Sequence, residues 1–390
     1  MSLFFWLKIS SITGILIFNS FSALATSYRL YLAFKFCVGF FCAGAILAMF
    51  VLGNELVGPS KRGVVGVSMQ ASFAVGIVLF SLLGYQVRQW RKLTLIISLL
   101  GSPALTLFWL LPESPRWLLG RGRAQEAAAV LEQIARGNGT AMPEKLRAEL
   151  EWRGGAGDAG RTGPRESLLA LFSHPHLALL TTIQIFSWFV NSAAYYGLTL
   201  AAGSAGGGLY TATALSGAVE IPAYLLTNFL LDYLGRRRTL CLFMLVGGVA
   251  CLAIQLLSGL AQSAALLGKL CLAASFAVVY VHSGEIFPTS IRNSAMGLVS
   301  VAARLGGILA PFIVALGDSV PDRQFIVFGV LSLAASLCNL MLPETLGAAL
   351  PETVAEILTG YERKQRQTAK LKGDIEAEHS SMLPHTLQDT

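Results

Sequence analysis

Apolar residues in this chain do not alternate with polar ones; they run on for long stretches. Runs over about 3–24, 30–53, 64–86, 93–111, 177–200, 207–231, 239–259, 263–284, 295–316 and 325–342 end at charge, Pro or loop signals. Each is near the roughly 20 residues that carry a helix across bilayer hydrocarbon. The pattern predicts an all-α polytopic membrane protein with ten transmembrane helices. The first run is too long for a signal-peptide apolar region, is interrupted by Lys8 and lacks a small-residue cleavage site, so it reads as a true span.

The spans divide four plus six. Residues 1–111 form an amino-terminal helix bundle and 177–343 a carboxy-terminal six-helix bundle. Between them, 112–176 is hydrophilic, with Glu126, Glu132, Arg136, Lys145, Arg147 and Glu149 in helical patterning, then a Gly-rich linker over 154–163. Residues 344–390 form a charged tail carrying Arg363, Lys364, Arg366, Lys370 and Lys372.

Composition narrows the class. Only 13% of the 390 residues are charged, against about 25% in soluble domains, and mean hydropathy is +0.62. A disulfide scaffold, a disordered chain and a nucleic-acid binder are excluded, although the net charge is +7. The basic excess has a topological reading: 21 of the 29 Lys and Arg fall in alternate loops that share one side. That side is expected to be cytoplasmic, with the amino terminus, central loop and carboxyl terminus on it and the plasma membrane as location. The one sequon, Asn138-Gly139-Thr140, then lies out of reach of glycosylation. All six cysteines fall inside spans, as small apolar residues. No cofactor, metal cluster, Walker pattern or nucleophile-and-base set is present, so an enzyme is not expected.

Four loops on the basic side repeat one signal, a Gly or Pro turn flanked by acids and arginines. They are Pro112-Glu113-Ser114-Pro115-Arg116-Trp117, Asp232-Tyr-Leu-Gly235-Arg236-Arg237-Arg238, Glu285-Ile-Phe-Pro288-Thr-Ser-Ile-Arg292, and Pro343-Glu344-Thr345-Leu346-Gly347. Ion pairs between abutting helix ends hold one side of a bundle closed and break when it opens. Glu113, Arg116, Asp232, Gly235, Arg236, Arg237, Glu285, Arg292 and Glu344 are therefore expected to form cytoplasmic gating contacts.

These motifs resemble the major facilitator superfamily. Within it, Trp188-Phe-Val-Asn191-Ser-Ala-Ala-Tyr195-Tyr196-Gly197-Leu198, Glu220-Ile-Pro222-Ala-Tyr224, Gly268-Lys269 and Tyr280-Val-His-Ser-Gly-Glu285 are similar to the organic cation, anion and zwitterion transporters, solute carrier family 22. The resemblance runs to about residue 350. It implies twelve helices, of which the four before Pro112 correspond to the third to sixth. By that correspondence the first two helices, their loop and the amino-terminal copy of the Gly-Arg motif are absent, so the amino-terminal bundle reads as truncated. The resemblance also implies a substrate site between the halves near the membrane midplane.

Ionisable residues deep in spans are costly and mark candidate sites. Glu220 lies mid-span, with Thr213, Ser216, Tyr224 and Thr227 on its face. Arg304 is the second. Ala302, Gly306 and Ala310 make a small-residue packing stripe, and Arg304 points away from it, where a guanidinium fork suits a carboxylate or sulfate. Trp188, Asn191, Tyr195 and Tyr196 share a face of the fifth span, with Tyr280 added from the eighth. By resemblance, a Glu together with an Arg points to a zwitterion first and an organic anion next; a structural Glu220–Arg304 ion pair is the bland alternative. Lys35 and Lys269 read as snorkelling span-end residues, and His282 takes no proton role.

The function expected is alternating-access transport of a small organic ion, with that ion and the lipid bilayer as partners, no nucleic acid, and no oligomeric state assigned. A non-transporting binding or regulatory membrane protein, or inactive short isoform, is the alternative. A sugar porter is third, since a charged pair fits a neutral polyol poorly.

Overall fold

In a computed structural model the described residues are 3–58, 61–120, 122–155, 168–202, 208–256, 260–288, 291–320, 322–348, 351 and 353–359. Among them the fold is all-helical. The first group comprises α1 (Leu3–Leu24), α2 (Tyr28–Leu56), α3 (Arg62–Gln86), α4 (Trp90–Gly101) and α5 (Pro103–Leu110). Three short helices follow, α6 (Pro115–Gly120), α7 (Ala124–Gly137) and α8 (Glu144–Gly155), then the second group: α9 (Pro175–Ala202), α10 (Leu209–Leu234), α11 (Arg236–Leu256), α12 (Ala261–Ile286), α13 (Arg292–Ser319) and α14 (Arg323–Asn339).

Seven described helices are long and apolar enough to cross a membrane: Tyr28–Ile46, Val64–Gln86, Pro175–Ala201, Leu209–Leu234, Arg236–Leu256, Ala261–Ile286 and Ser294–Gly317. Among the described residues these account for seven of the expected ten. The fourth is interrupted at Ser102, which ends α4 and precedes Pro103 at the first position of α5. Proline lacks the N–H and crowds the preceding turn, so an unbroken helix over 93–111 is disfavoured. α14 is apolar but shorter, at 17 residues, and the 22 residues of α1 include the apolar stretch Ile9–Leu24.

The expected short helices of the central loop are α6 to α8. Glu132 sits 3.0 Å from both Arg136, one turn on, and Arg147 of α8, tying α7 to α8. The Gly-rich linker lies outside the described residues from 156, as does the tail from 360.

The main core belongs to the second group. Trp188, Tyr224, Leu240, Met244, Val278, Val299 and Ala335 are all buried in one apolar cluster, and Val67 and Ala74 of α3 join it. α3 is thus the strut between the groups. It packs along α10, where Gly217 admits the Ala74 carbonyl and Ile77, and Tyr85 meets Tyr210 edge-on at 6.2 Å. Val354, after α14, is also buried in the cluster.

The stripe Ala302, Gly306 and Ala310 is the buried face of α13, laid against α9. At Gly306 the approach leaves no room for a Cβ, which would strike the Phe189 carbonyl oxygen. A side chain there forces the two backbones apart, at about 1–3 kcal/mol or more for an overpacked contact. Gly306→Val is expected to lower the thermal midpoint of the purified protein by about 3 °C or more. Gly76→Ala, which meets nothing within 4 Å, should leave it unchanged; coincident melting of both variants would contradict the packing.

Candidate functional site

Glu220 is fully buried in the middle of α10. Its carboxylate accepts from Tyr195 Oη at 2.8 Å and Tyr224 Oη at 3.0 Å, and pairs with Lys269 Nζ at 3.0 Å. Lys269 is 2% exposed, so it does not snorkel. Its ammonium also donates to Thr199 Oγ1 and lies 3.2 Å from the Tyr195 ring centroid. The partner of Glu220 is therefore Lys269 on α12, and the structural Glu220–Arg304 pair considered from sequence is not formed. The missed signal was periodicity: Lys269, Phe276 and Tyr280 are spaced by seven and four, one face of a helix.

That face carries aromatic packing. Phe276 stacks on Tyr195 at 5.7 Å and meets Tyr280 edge-on at 5.5 Å, while Trp188 and Tyr280 lie 4.2 Å apart. The Trp188 indole N–H donates to Ser283 Oγ at 2.8 Å. Ser275 Oγ donates to Asn191 Oδ1, whose amide donates to the Ser187 carbonyl at 3.2 Å. Trp188 and Asn191 are fully buried, while Tyr196 is 42% exposed.

Arg304 stands apart from the Glu220 cluster on the exposed side of α13. It donates to Ser300 Oγ at 2.8 Å and is within electrostatic reach of Tyr196, Tyr280 and, on α2 of the first group, Cys42. Among the described residues no carboxylate pairs with it. Glu220, Lys269 and Arg304 together carry one net positive charge.

Many of the motif residues meet at the far end of the second group. Glu344 follows α14 and reaches the start of α11, where its carboxylate accepts from the backbone N–H groups of Arg236 at 2.7 Å and Arg237 at 3.2 Å. It caps that helix from a distant part of the chain. Partial burial pushes its carboxyl up, but N–H donors from Arg236, Leu346 and Thr345 outweigh this and hold it below the usual range. Gly235 makes the approach feasible: its φ is +87° and a Cβ would sit 2.6 Å from the Glu344 carboxylate.

Arg236 Nε pairs with Glu285 of α12 at 3.1 Å, and Thr345 Oγ1 donates to the same carboxylate at 2.6 Å. Arg237 Nη1 donates to the Leu342 carbonyl at 3.3 Å. His282 Nε2 lies 3.0 Å from the Pro343 carbonyl. Five of the nine expected gating residues, Gly235, Arg236, Arg237, Glu285 and Glu344, thus form one latch. Asp232 is exposed, Arg292 Nε donates to the Phe287 carbonyl at 3.1 Å, and Glu113 is partly buried just before α6. The Arg116 side chain lies outside the described set.

Two expectations follow. Lys269→Met strands a buried carboxylate and should cost about 3–5 kcal/mol, largely recovered in the Lys269→Met/Glu220→Met double variant; thermal melting of both proteins checks this. Glu344→Ala should speed hydrogen exchange at the first amides of α11. Because the Glu344 carboxyl is depressed in the folded protein, its contribution is complete at neutral pH and fades as pH falls through that lowered value. The exchange difference from the parent protein should therefore shrink in acid.

The family profile described as "Sugar (and other) transporter" matches residues 2–356. Solute carrier family 22 member 15 of Xenopus tropicalis is 40% identical over 361 residues, 89% of this chain and 66% of that protein. A member 15-like protein of Xenopus laevis is 37% identical over 350 residues, 88% of this chain and 70% of that one. The chain spans about two thirds of the length of these relatives. Among solved structures, the proton:xylose symporter XylE bound to 6-bromo-6-deoxy-D-glucose aligns at a TM-score of 0.69 and 19% identity, over 88% of this chain and 82% of that one, a likeness of fold. By profile, relatives and fold together, the chain belongs to the major facilitator superfamily and, within it, to solute carrier family 22.

Proposed function

We propose that this chain serves transport of small organic ions across a membrane by alternating access, with an organic anion, or the anionic group of a zwitterion, as the species recognised. One observation carries the substrate class: Glu220 is already paired with Lys269 and hydrogen-bonded by two phenols, whereas Arg304 is exposed and holds a serine rather than an acid. Arg304 supplies a fork for a carboxylate or sulfate, with Tyr196 and Tyr280 as flat neighbours. Glu220, Tyr224, Tyr195, Trp188 and Asn191 form the buried wall behind them and set the shape of the site. The plasma membrane is the proposed location, with the latch on the cytoplasmic side. There Glu285, Arg236 and Glu344 hold the second bundle's helix ends together and must loosen when that side opens.

Uptake into expressing cells of a panel containing carnitine, organosulfates and quaternary ammoniums tests this. Anion or zwitterion entry above background is expected, cut about tenfold or more by Arg304→Ala and partly kept by Arg304→Lys, as for loss of a desolvated charge-assisted contact. Binding without entry of any class favours the non-transporting reading. Anion uptake indifferent to Arg304→Ala removes that residue from the site.

A further inference from the structure

The first helix group holds a cavity of about 700 Å³ at the end opposite the latch, between the α1–α2 turn and the start of α4. Its size is ordinary for a small-molecule site. Lys35 and Arg91 line it, together with Tyr31, Trp90, Phe80 and Asn19, and no Asp or Glu is among its lining residues.

Among the described residues no carboxylate forms an ion pair with Lys35 or Arg91. Residues 1–111 contain eight Lys and Arg and a single acid, Glu55. Glu55 is twenty positions along α2 from Lys35, about 30 Å at helical rise. The Lys35 ammonium donates to Asn19 Oδ1 at 2.8 Å and lies 5.6 Å from the Tyr31 ring centroid. An ammonium has three N–H groups, so Asn19 accounts for one. Arg91 closes the α1 end by donating to the Ala23 carbonyl at 3.1 Å and the Ala25 carbonyl at 2.8 Å, with its guanidinium 4.6 Å from the Trp90 ring centroid. Tyr31 meets Trp90 edge-on at 5.6 Å, making an aromatic wall beside the two cations. The amino-terminal ends of α2 and α4 also border the cavity, and their dipoles add positive potential.

We infer that this cavity binds a compact oxyanion joined to a flat or apolar group: the oxyanion meets Lys35 and the apolar part lies against Tyr31, Trp90 and Phe80. A free aryl carboxylate or sulfonate and the headgroup of an anionic lipid share this chemistry. The site shares no lining residue with the Arg304 region and stands whether or not the transport reading holds.

Photolabelling of the full chain in phosphatidylcholine nanodiscs tests it, using an aryl-diazirine benzoate and the matching neutral benzyl alcohol, with labelled peptides mapped by mass spectrometry. The benzoate probe should mark residues within 26–35 and 90–97, compete with excess benzenesulfonate, and exceed the neutral probe. Lys35→Gln should cut labelling about tenfold and Lys35→Arg should keep most of it. Ser27→Asp retains a good helix cap while placing a carboxylate at the rim, and should cut labelling even if Lys35→Gln does not fold. Loss of label on exchanging the lipid for phosphatidylglycerol assigns the site to a lipid headgroup; persistence assigns it to free aryl anions. Equal labelling by the neutral probe, label confined to α9–α13, or indifference to Ser27→Asp overturns the inference.

Discussion

A carboxylate with no exposed surface, halfway along a membrane-spanning helix, must be met by donors from its neighbours, because hydrocarbon offers none. Glu220 meets that demand with one ammonium and two phenols drawn from α9, α10 and α12. Three helices are thereby fixed in relative rotation, since each must turn a particular residue inward. The aromatic layer of Phe276, Tyr280 and Trp188 follows from that rotation: once Lys269 faces Glu220, the residues seven and eleven positions along α12 face the same interior. The pair is an organising element before it is anything else. Whether it adds net stability over an apolar equivalent is secondary to the register it imposes.

Arg304 is its counterpart in reverse. α13 is held against α9 by the face that carries Ala302, Gly306 and Ala310, so close that Gly306 lies under a carbonyl of the neighbour. A helix committed on one side presents its other side to the space between the groups, and Arg304 is there. The exposed charge is thus a by-product of tight small-residue packing behind it. On α10 the two roles lie side by side instead: Gly217 receives α3, and Glu220, one turn on along the same face, meets Lys269 of α12.

Much of this was legible in the chain. Long apolar runs, the small-residue stripe and the helix-end motifs are properties of consecutive residues, and periodicity places them on faces. The partner of Glu220 was not. A lysine close to a span end and one buried eight residues into α12 look alike in hydropathy; only the lateral neighbour decides between water and a carboxylate. Length and continuity are less legible: Pro103 interrupts a run that reads as continuous, and α14 has 17 residues. Glu113 and Asp232 carry the motif pattern yet lie outside the latch, because a motif specifies residue types and the packing chooses which ones touch.

The Glu344 cap has a consequence for how the second bundle is made. Its bond to the Arg236 amide spans 108 positions, so when α11 emerges from the ribosome its first turn has donors and no acceptor. Until α12, α13 and α14 have been synthesised and the segment after α14 folds back, those donors are left to water. The segment after α14 therefore completes the start of α11, and without Glu344 that helix start lacks its side-chain acceptor. The order of residues along the chain thus makes the start of α11 depend on a segment synthesised more than a hundred positions later.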